Sequence, residues 1–303
     1  MSKFPIVLTV YNRPYHVECT LDSLLECDGL SNFKLYIFSD GPKDKNQIKK
    51  VNQVRKLIQK YKNKMSISII NRKENFGLLK NITESLDFIF SKFDKAIVIE
   101  DDLIFDKKFL KFMKKSIIKY QKSKKILQVS GYSYPLENIK NPYFAKLSSC
   151  WGWAICSDKW VEFRKFLKNR NDQLDEYIKI KKSKKLKYLF NYNGSFNYLS
   201  MLRNHFNNKV NSWGIIFYLY LFKTNSFCFF PPRSFIKNIG FDGTGNHNSK
   251  SNLFNSNKSS DLSFKYPKKV YLSSKVKKEI KIFFKKDLSI IGKLKKRIYE
   301  NFF

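Results

Sequence analysis

Three consecutive carboxylates, Glu100, Asp101 and Asp102, directly follow the apolar run Ala96-Ile97-Val98-Ile99. Acids this close repel one another, and at the buried end of a strand their ionised forms are costly unless a cation sits among them. A metal is the simplest such cation. Oxygen-only ligands point to Mg2+ or Mn2+, which takes one or two protein carboxylates and completes its shell with water and phosphate oxygens. The rival reading is an acidic cap on a strand-to-loop turn facing water. Two other apolar runs end in polar residues of the same kind, residues 4–10 in Tyr11-Asn12-Arg13 and residues 33–38 in Ser39-Asp40-Gly41. Ligands of open α/β sheets bind beyond the carboxyl ends of the strands, so the three ends form one candidate site.

The elements that must position these residues follow from hydrophobic spacing. Strands are predicted over residues 4–10, 33–38, 67–70, 95–99 and 126–130. Between them lie helices with apolar residues at three- and four-residue steps, Val17, Leu21, Leu24 and Leu25 in the first, then residues 51–61, 78–93 and 109–120. Repeated βα units imply an α/β fold, a mostly parallel sheet with helices on both faces. Beyond residue 130 the pattern becomes irregular and aromatic, with a helix near residues 158–167 and apolar segments around 196–206 and 213–222. Residues 168–190, dense in lysine, are expected to form a solvated excursion, and residues 246–263, rich in Asn, Ser and Lys, a loop or linker. The expected organisation is a catalytic domain over residues 1–248, a polar linker or loop over 249–272 and a basic amphipathic helical tail over 273–303.

Composition bounds the function classes. The 303 residues carry 59 Lys+Arg against 25 Asp+Glu, a formal charge of +34, yet 43% are hydrophobic and 17% aromatic, which excludes a disordered polybasic chain. A basic field of this size attracts polyanions in general. The lysines are spread along the whole chain among many Asn, Ile and Phe, as an AT-rich coding sequence would produce, and no specific nucleic-acid partner is expected. Five cysteines without a Cys-x-x-Cys pair suggest neither a disulfide framework nor a zinc site. The longest apolar run, residues 213–222, is far shorter than a membrane span, and residues 1–14 lack a signal-peptide pattern. A cytoplasmic location is therefore expected.

Taken in order, Ile6-Val-Leu-Thr-Val-Tyr-Asn-Arg-Pro, Phe38-Ser-Asp-Gly, Asn75-Phe-Gly-Leu, Ile97-Val-Ile-Glu-Asp-Asp-Leu and Trp151-Gly-Trp-Ala resemble the GT-A-fold glycosyltransferases. The likeness is to the family 2 sugar transferases of bacterial surface polysaccharides and to the N-acetylglucosaminyltransferase I group, and it spans roughly residues 4–248. It implies a GT-A (Rossmann-like) fold and transfer of a sugar from a nucleotide-sugar, a UDP-sugar by the same likeness, to a growing lipopolysaccharide, lipooligosaccharide or capsule. It also implies that Tyr11, Arg13, Asp40 and Asn75 hold the nucleotide, and that Glu100-Asp101-Asp102 is an Asp-x-Asp-type motif. In that motif Glu100 and Asp101 reach ribose and donor sugar, and Asp102 binds Mn2+ or Mg2+. Trp151, Gly152 and Trp153 would flank the donor sugar and acceptor. The segment Asn238-Ile-Gly-Phe-Asp-Gly-Thr-Gly-Asn-His247 resembles the part that closes over the bound donor, its glycines permitting rearrangement and His247 offering a further metal ligand.

An inverting transfer, the expected stereochemistry, needs a carboxylate to take the acceptor's hydroxyl proton. The relatives often place an acid just before the tryptophan of the segment reading here Asn211-Ser212-Trp213-Gly214, where this chain has none, so Asp242 and Asp158 are the candidates. At the C-terminus Val276, Ile280, Phe283 and Phe284, then Ile291, Leu294, Ile298 and Phe302, recur at helical spacing with Lys293, Lys295, Lys296 and Arg297 on other faces. Such a helix either lies on an anionic membrane, here the inner face of the cytoplasmic membrane where a lipid-linked or oligosaccharide acceptor would be met, or docks on the domain. Two rival functions remain. A nucleotidyltransferase acting on sugar phosphates should carry a Gly-rich phosphate loop after its first strand, and none is visible. A charge-driven nucleic-acid-binding protein leaves the acid cluster unexplained.

Overall fold

The computed structural model describes residues 3–243 and 262–290, with side chains to residue 285. In chain order the elements are β1 (Phe4–Val10), α1 (Pro14–Leu25), β2 (Phe33–Ser39), α2 (Ile48–Gln59), β3 (Ile67–Asn71), α3 (Gly77–Phe90), β4 (Lys95–Glu100), β5 (Leu103–Phe105), α4 (Phe109–Tyr120) and β6 (Ile126–Ser130). There follow β7 (Tyr143–Ala145), β8 (Trp153–Cys156), α5 (Ser157–Lys168), α6 (Arg170–Lys182), α7 (Lys184–Phe190), α8 (Tyr198–Phe206), α9 (Trp213–Lys223), β9 (Phe227–Phe230), β10 (Ile236–Asn238) and α10 (Ser274–Ile290).

The main sheet has eight strands in the order β3-β2-β1-β4-β8-β6-β9-β7. Its first four run parallel, β6 pairs parallel with β9, and β8 and β7 run against their neighbours. The sheet is thus mostly parallel, as βα alternation predicts. β1 is buried at every position from Pro5 to Val10, the near-continuous apolar run of a strand covered on both faces. Pro14 opens α1, where its missing N–H is harmless and its fixed φ suits a first turn. A second, two-stranded sheet pairs β5 with β10 antiparallel and aligns Leu103 with Asn238. The chain after β10 is thereby laid beside the residues that follow β4.

One expectation is corrected, and at two other places one of the open alternatives is met. Residues 168–190 are not a solvated excursion but the helices α6 and α7, fixed by buried Gln173, Glu176, Ile180 and Phe190. Within the expected linker, residues 262–272 pack on the domain. Tyr266 stacks on Phe229 at 5.7 Å and places its hydroxyl 3.2 Å from that of Ser116, and Tyr120 Oη donates to Pro267 O at 3.0 Å. In α10 the stripe Val276, Ile280, Phe283 and Phe284 is buried, its phenylalanines against Tyr134, Tyr192, Phe196 and Tyr198. That apolar face is docked on the domain rather than free for lipid. The second half of the proposed tail, residues 291–303, lies outside the described residues, as does His247.

Candidate active site

The carboxyl ends of β1 and β4 are neighbours, with Thr9 opposite Glu100. This pairing brings Arg13, at the N-cap of α1, onto the acid cluster. Its Nη2 donates to Asp101 Oδ1 and, at 2.9 Å, to Asp102 Oδ2. Both aspartates are buried and Arg13 is largely covered. Burial works against the guanidinium's charge, but Asp101 and Asp102 outweigh it and hold the Arg13 pKa above its ordinary value. Burial, then the neighbouring Asp102 and Asp101, pushes the Glu100 carboxyl well up despite Arg13. Burial raises Asp102 as well, with Arg13 opposing and Asp101 adding to the rise. The cation that acid crowding demands is thus supplied in part by the chain itself, by a residue expected to hold only nucleotide.

The compensation is incomplete. Asp102 Oδ1 is buried and accepts no hydrogen bond among the described residues, an arrangement that costs free energy unless some ligand completes it. The described residues contain no group of three His, Cys, Asp or Glu side chains forming a metal cage. A divalent cation that draws one or two ligands from protein and the rest from phosphate and water needs no such cage, and an unpartnered carboxylate oxygen among acids fits it.

The strap after β10 crosses this point. Ile239 N donates to Asp102 O at 2.8 Å, and Gly240 N donates to Asn238 Oδ1 at 2.7 Å. Gly240 lies so close to the Asp102 carboxylate that a Cβ there would sit 2.2 Å from Oδ2. Phe241 packs edge-on to Trp151 at 5.6 Å. Asp242 Oδ2 is 3.2 Å from Nε2 of the buried His16, within ion-pairing distance but not aligned as a hydrogen bond. His16 stands one turn beyond Arg13, an i,i+3 spacing that the strand-end motifs do not single out.

Asp40 has a different environment from the one expected. Its carboxylate accepts from the backbone N–H of Gly41 at 2.9 Å, Phe76 at 2.8 Å and Gly77 at 3.0 Å, and from Asn75 Nδ2 at 3.2 Å. Both oxygens are taken up in tying the end of β2 to the start of α3. Gly41 is required there, because a Cβ would fall 2.4 Å from the Glu74 backbone. Tyr11 Oη accepts from Lys43 N at 3.2 Å and borders the same loop.

Of the aromatic motif, Trp151 is partly exposed beside the strap. Gly152 has φ +54° and no room for a Cβ, which would meet Ile236 Cδ1 at 2.2 Å. Trp153 is corrected to a core residue. It has no exposed surface and stacks on Trp213 at 5.3 Å, so its ring has no face to offer a sugar. Asp158 is corrected as well. It lies in the first turn of α5, just after Cys156, which pairs with Lys95 at the start of β4. The length of that strand, about 17 Å at ~3.3 Å per residue, separates it from the acids. Asp242 remains on the acid side.

A cleft of about 450 Å³ opens beside this region, lined by Leu79, Arg170, His205, Asn208, Asn211 and Trp213 among others. Leu79 is in the first turn of α3, and Trp213 stacks on Trp153, which pairs with Val98 two residues before Glu100. The cleft shares this packing with β4, while Arg13, Asp101, Asp102 and Asp242 are not among its lining residues. His205 Nδ1 accepts from Ser212 N at 3.3 Å, and burial, helped by Arg170, lowers the imidazole pKa to about 4. It is neutral at pH 7 and carries its proton on Nε2. Ser212, one of the two residues standing where an acid was sought, instead caps α9 by accepting from Ile215 N at 3.4 Å.

Neither a protein-family model nor a curated protein sequence matches the chain. Among solved structures it is similar to S. aureus TarS residues 1–349 in complex with UDP-GlcNAc, at 20% identity over 46% of this chain and 39% of that one, with a TM-score of 0.36. It is also similar to the mannosyltransferase PcManGT from Pyrobaculum calidifontis in complex with GDP-Man and Mn2+, at 12% identity over 55% and 46%, TM-score 0.38. A third is the glycosyltransferase GlyE of Streptococcus pneumoniae TIGR4, at 15% identity over 60% and 40%, TM-score 0.34. The chain spans less than half the length of each. The likeness extends to part of the fold and to nothing finer.

Proposed function

We propose that the protein is a metal-dependent nucleotide-sugar glycosyltransferase. The observation that carries this reading is the junction of β1 and β4, where Arg13 clasps Asp101 and Asp102 while a buried Asp102 oxygen stays unpartnered and a glycine strap lies against the same carboxylate. Asp102, with Asp101 beside it, would hold Mn2+ or Mg2+. When bound, the cation supplies Lewis-acid stabilisation to the negative charge of a departing nucleoside diphosphate. Tyr11 and the Asp40–Asn75 loop, which Asp40 rigidifies, would frame the nucleoside. Trp151 and Phe241 would cover the donor sugar and exclude water, and the 450 Å³ cleft would admit the acceptor. Asp242, steadied by His16, would take the acceptor's hydroxyl proton in an inverting transfer.

A UDP-sugar donor, a lipid-linked or oligosaccharide acceptor of a bacterial surface glycan, and a cytoplasmic location at the inner face of the membrane belong to the same proposal. The donor choice rests on motif resemblance, and Mn2+ and UDP-GlcNAc occur in complexes of the solved structures named above. Thermal stabilisation by a panel of UDP-, GDP-, CMP- and dTDP-sugars with Mn2+ tests it. A shift with UDP-sugars that EDTA abolishes is expected, and no shift with any nucleotide-sugar would contradict the assignment.

A further inference from the structure

The described apolar stripe of α10 is buried, and a different surface, that of the hairpin of α6 and α7, carries chemistry suited to lipid. Between residues 177 and 190 there is no Asp or Glu, while Lys179, Lys181, Lys182, Lys184, Lys185 and Lys187 are all exposed. Lys179 reaches Glu176 at 3.5 Å, and the other five form no ion pair with a carboxylate among the described residues. In the same segment three large apolar side chains are exposed, Ile178 at 43%, Tyr188 at 50% and Leu189 at 39%. Exposed lysines alone are ordinary on a +34 chain. Their coincidence with outward apolar side chains is not what a merely solvated face requires.

The hairpin is nonetheless rigidly seated. Phe190 is buried, its carbonyl accepts from Tyr218 Oη at 2.7 Å, and Ser183 caps α7 by accepting from Leu186 N at 3.2 Å. The apolar side chains therefore point outward from a fixed platform rather than from a fraying segment.

We infer that the α6–α7 hairpin is an anionic-membrane docking surface. Lysines placed about a shallow apolar patch put their ammonium groups at lipid headgroups while Tyr188 and Leu189 enter the acyl boundary. A nucleic acid would satisfy the lysines and could stack on Tyr188 but offers no apolar phase to Ile178 and Leu189, so lipid is the complementary partner. The geometry also serves a membrane-held substrate, because α6 begins at Arg170 on the rim of the cleft and ends at this patch about 18 Å away, at ~1.5 Å per residue. The inference does not depend on the glycosyltransferase reading.

Co-sedimentation of the full chain with vesicles tests it, using phosphatidylcholine with one quarter phosphatidylglycerol against pure phosphatidylcholine. Binding to the anionic vesicles only is expected. Lys184→Gln with Lys185→Gln should weaken it about 25-fold, at roughly fivefold per lysine near an anionic surface. Tyr188→Ser with Leu189→Ser should weaken it at least about tenfold, and unchanged melting temperatures would show that both variants fold. The inference would be overturned by no binding by the parent chain, by binding of either hairpin variant as strong as the parent's, or by loss of binding with Lys295→Glu and Lys296→Glu in the tail while the hairpin variants bind normally. Tighter binding of a single-stranded RNA oligonucleotide that ignores Tyr188 and Leu189 would overturn it too.

Discussion

Asp102 is held on one side and unsatisfied on the other. Oδ2 meets Arg13 and the backbone of Gly240, while Oδ1 is buried without a partner. The glycine matters for its missing side chain. Gly240→Ala would place a methyl 2.2 Å from the carboxylate and must displace either the strap or Asp102. Transfer should fall at least about tenfold, the cost of a roughly 1.4 kcal/mol misplacement, with the melting temperature little changed; kinetics and a thermal melt on the variant check this. His205 gives a pH prediction. Its folded pKa, about 4, lies below its ordinary 6.5, so between those values the unfolded chain binds more protons. Its contribution is intact above pH 6.5 and is lost as pH falls through 4. Discounted for partial exposure, the loss is about 1–2 kcal/mol. Melting temperatures from pH 4 to 7 should show this slope in the parent and a shallower one in His205→Asn.

At the scale of elements, the parallel half of the sheet was legible because β1, β2, β3 and β4 alternate with helices whose apolar spacing is strong. β7, β8 and β9 were not, since three- or four-residue strands hold too few positions to show a period. α6 was hidden because polar Gln173 and Glu176 share its buried face. The strand ends exposed the acid cluster and Arg13 as candidates, but their mutual contact spans 88 residues and depends on β1 lying beside β4, which no local pattern encodes. Asp40 is the sharpest lesson. It stands at the right strand end, yet serves as the clamp on three backbone N–H groups. Asp40→Ala should therefore destabilise the fold by about 1–3 kcal/mol, measured by urea unfolding, as well as loosen the loop between β2 and α3 that it ties down. A stability unchanged by that substitution would return Asp40 to a purely ligand-binding role. Phe284, buried against Tyr198 and Phe196, makes the matching prediction for α10: Phe284→Ala should cost about 3 kcal/mol by the same method.

Across the whole molecule, a net charge of +34 surrounds the buried pair Asp101 and Asp102. The surrounding field concentrates anions of every kind, so retention on a polyanion says little about function. A nucleoside diphosphate at Asp101 and Asp102 would need a divalent cation between them, whereas anions held by the surface lysines need none. Calorimetric titration of UDP into the protein, with and without Mn2+, and into Asp102→Asn tests that point. Binding to the parent that strengthens at least about tenfold with Mn2+, and a variant that folds and loses only the Mn2+-dependent part, is the predicted result. UDP binding that ignores Mn2+ in the parent, or an Asp102→Asn variant that keeps the full Mn2+ effect, would contradict it.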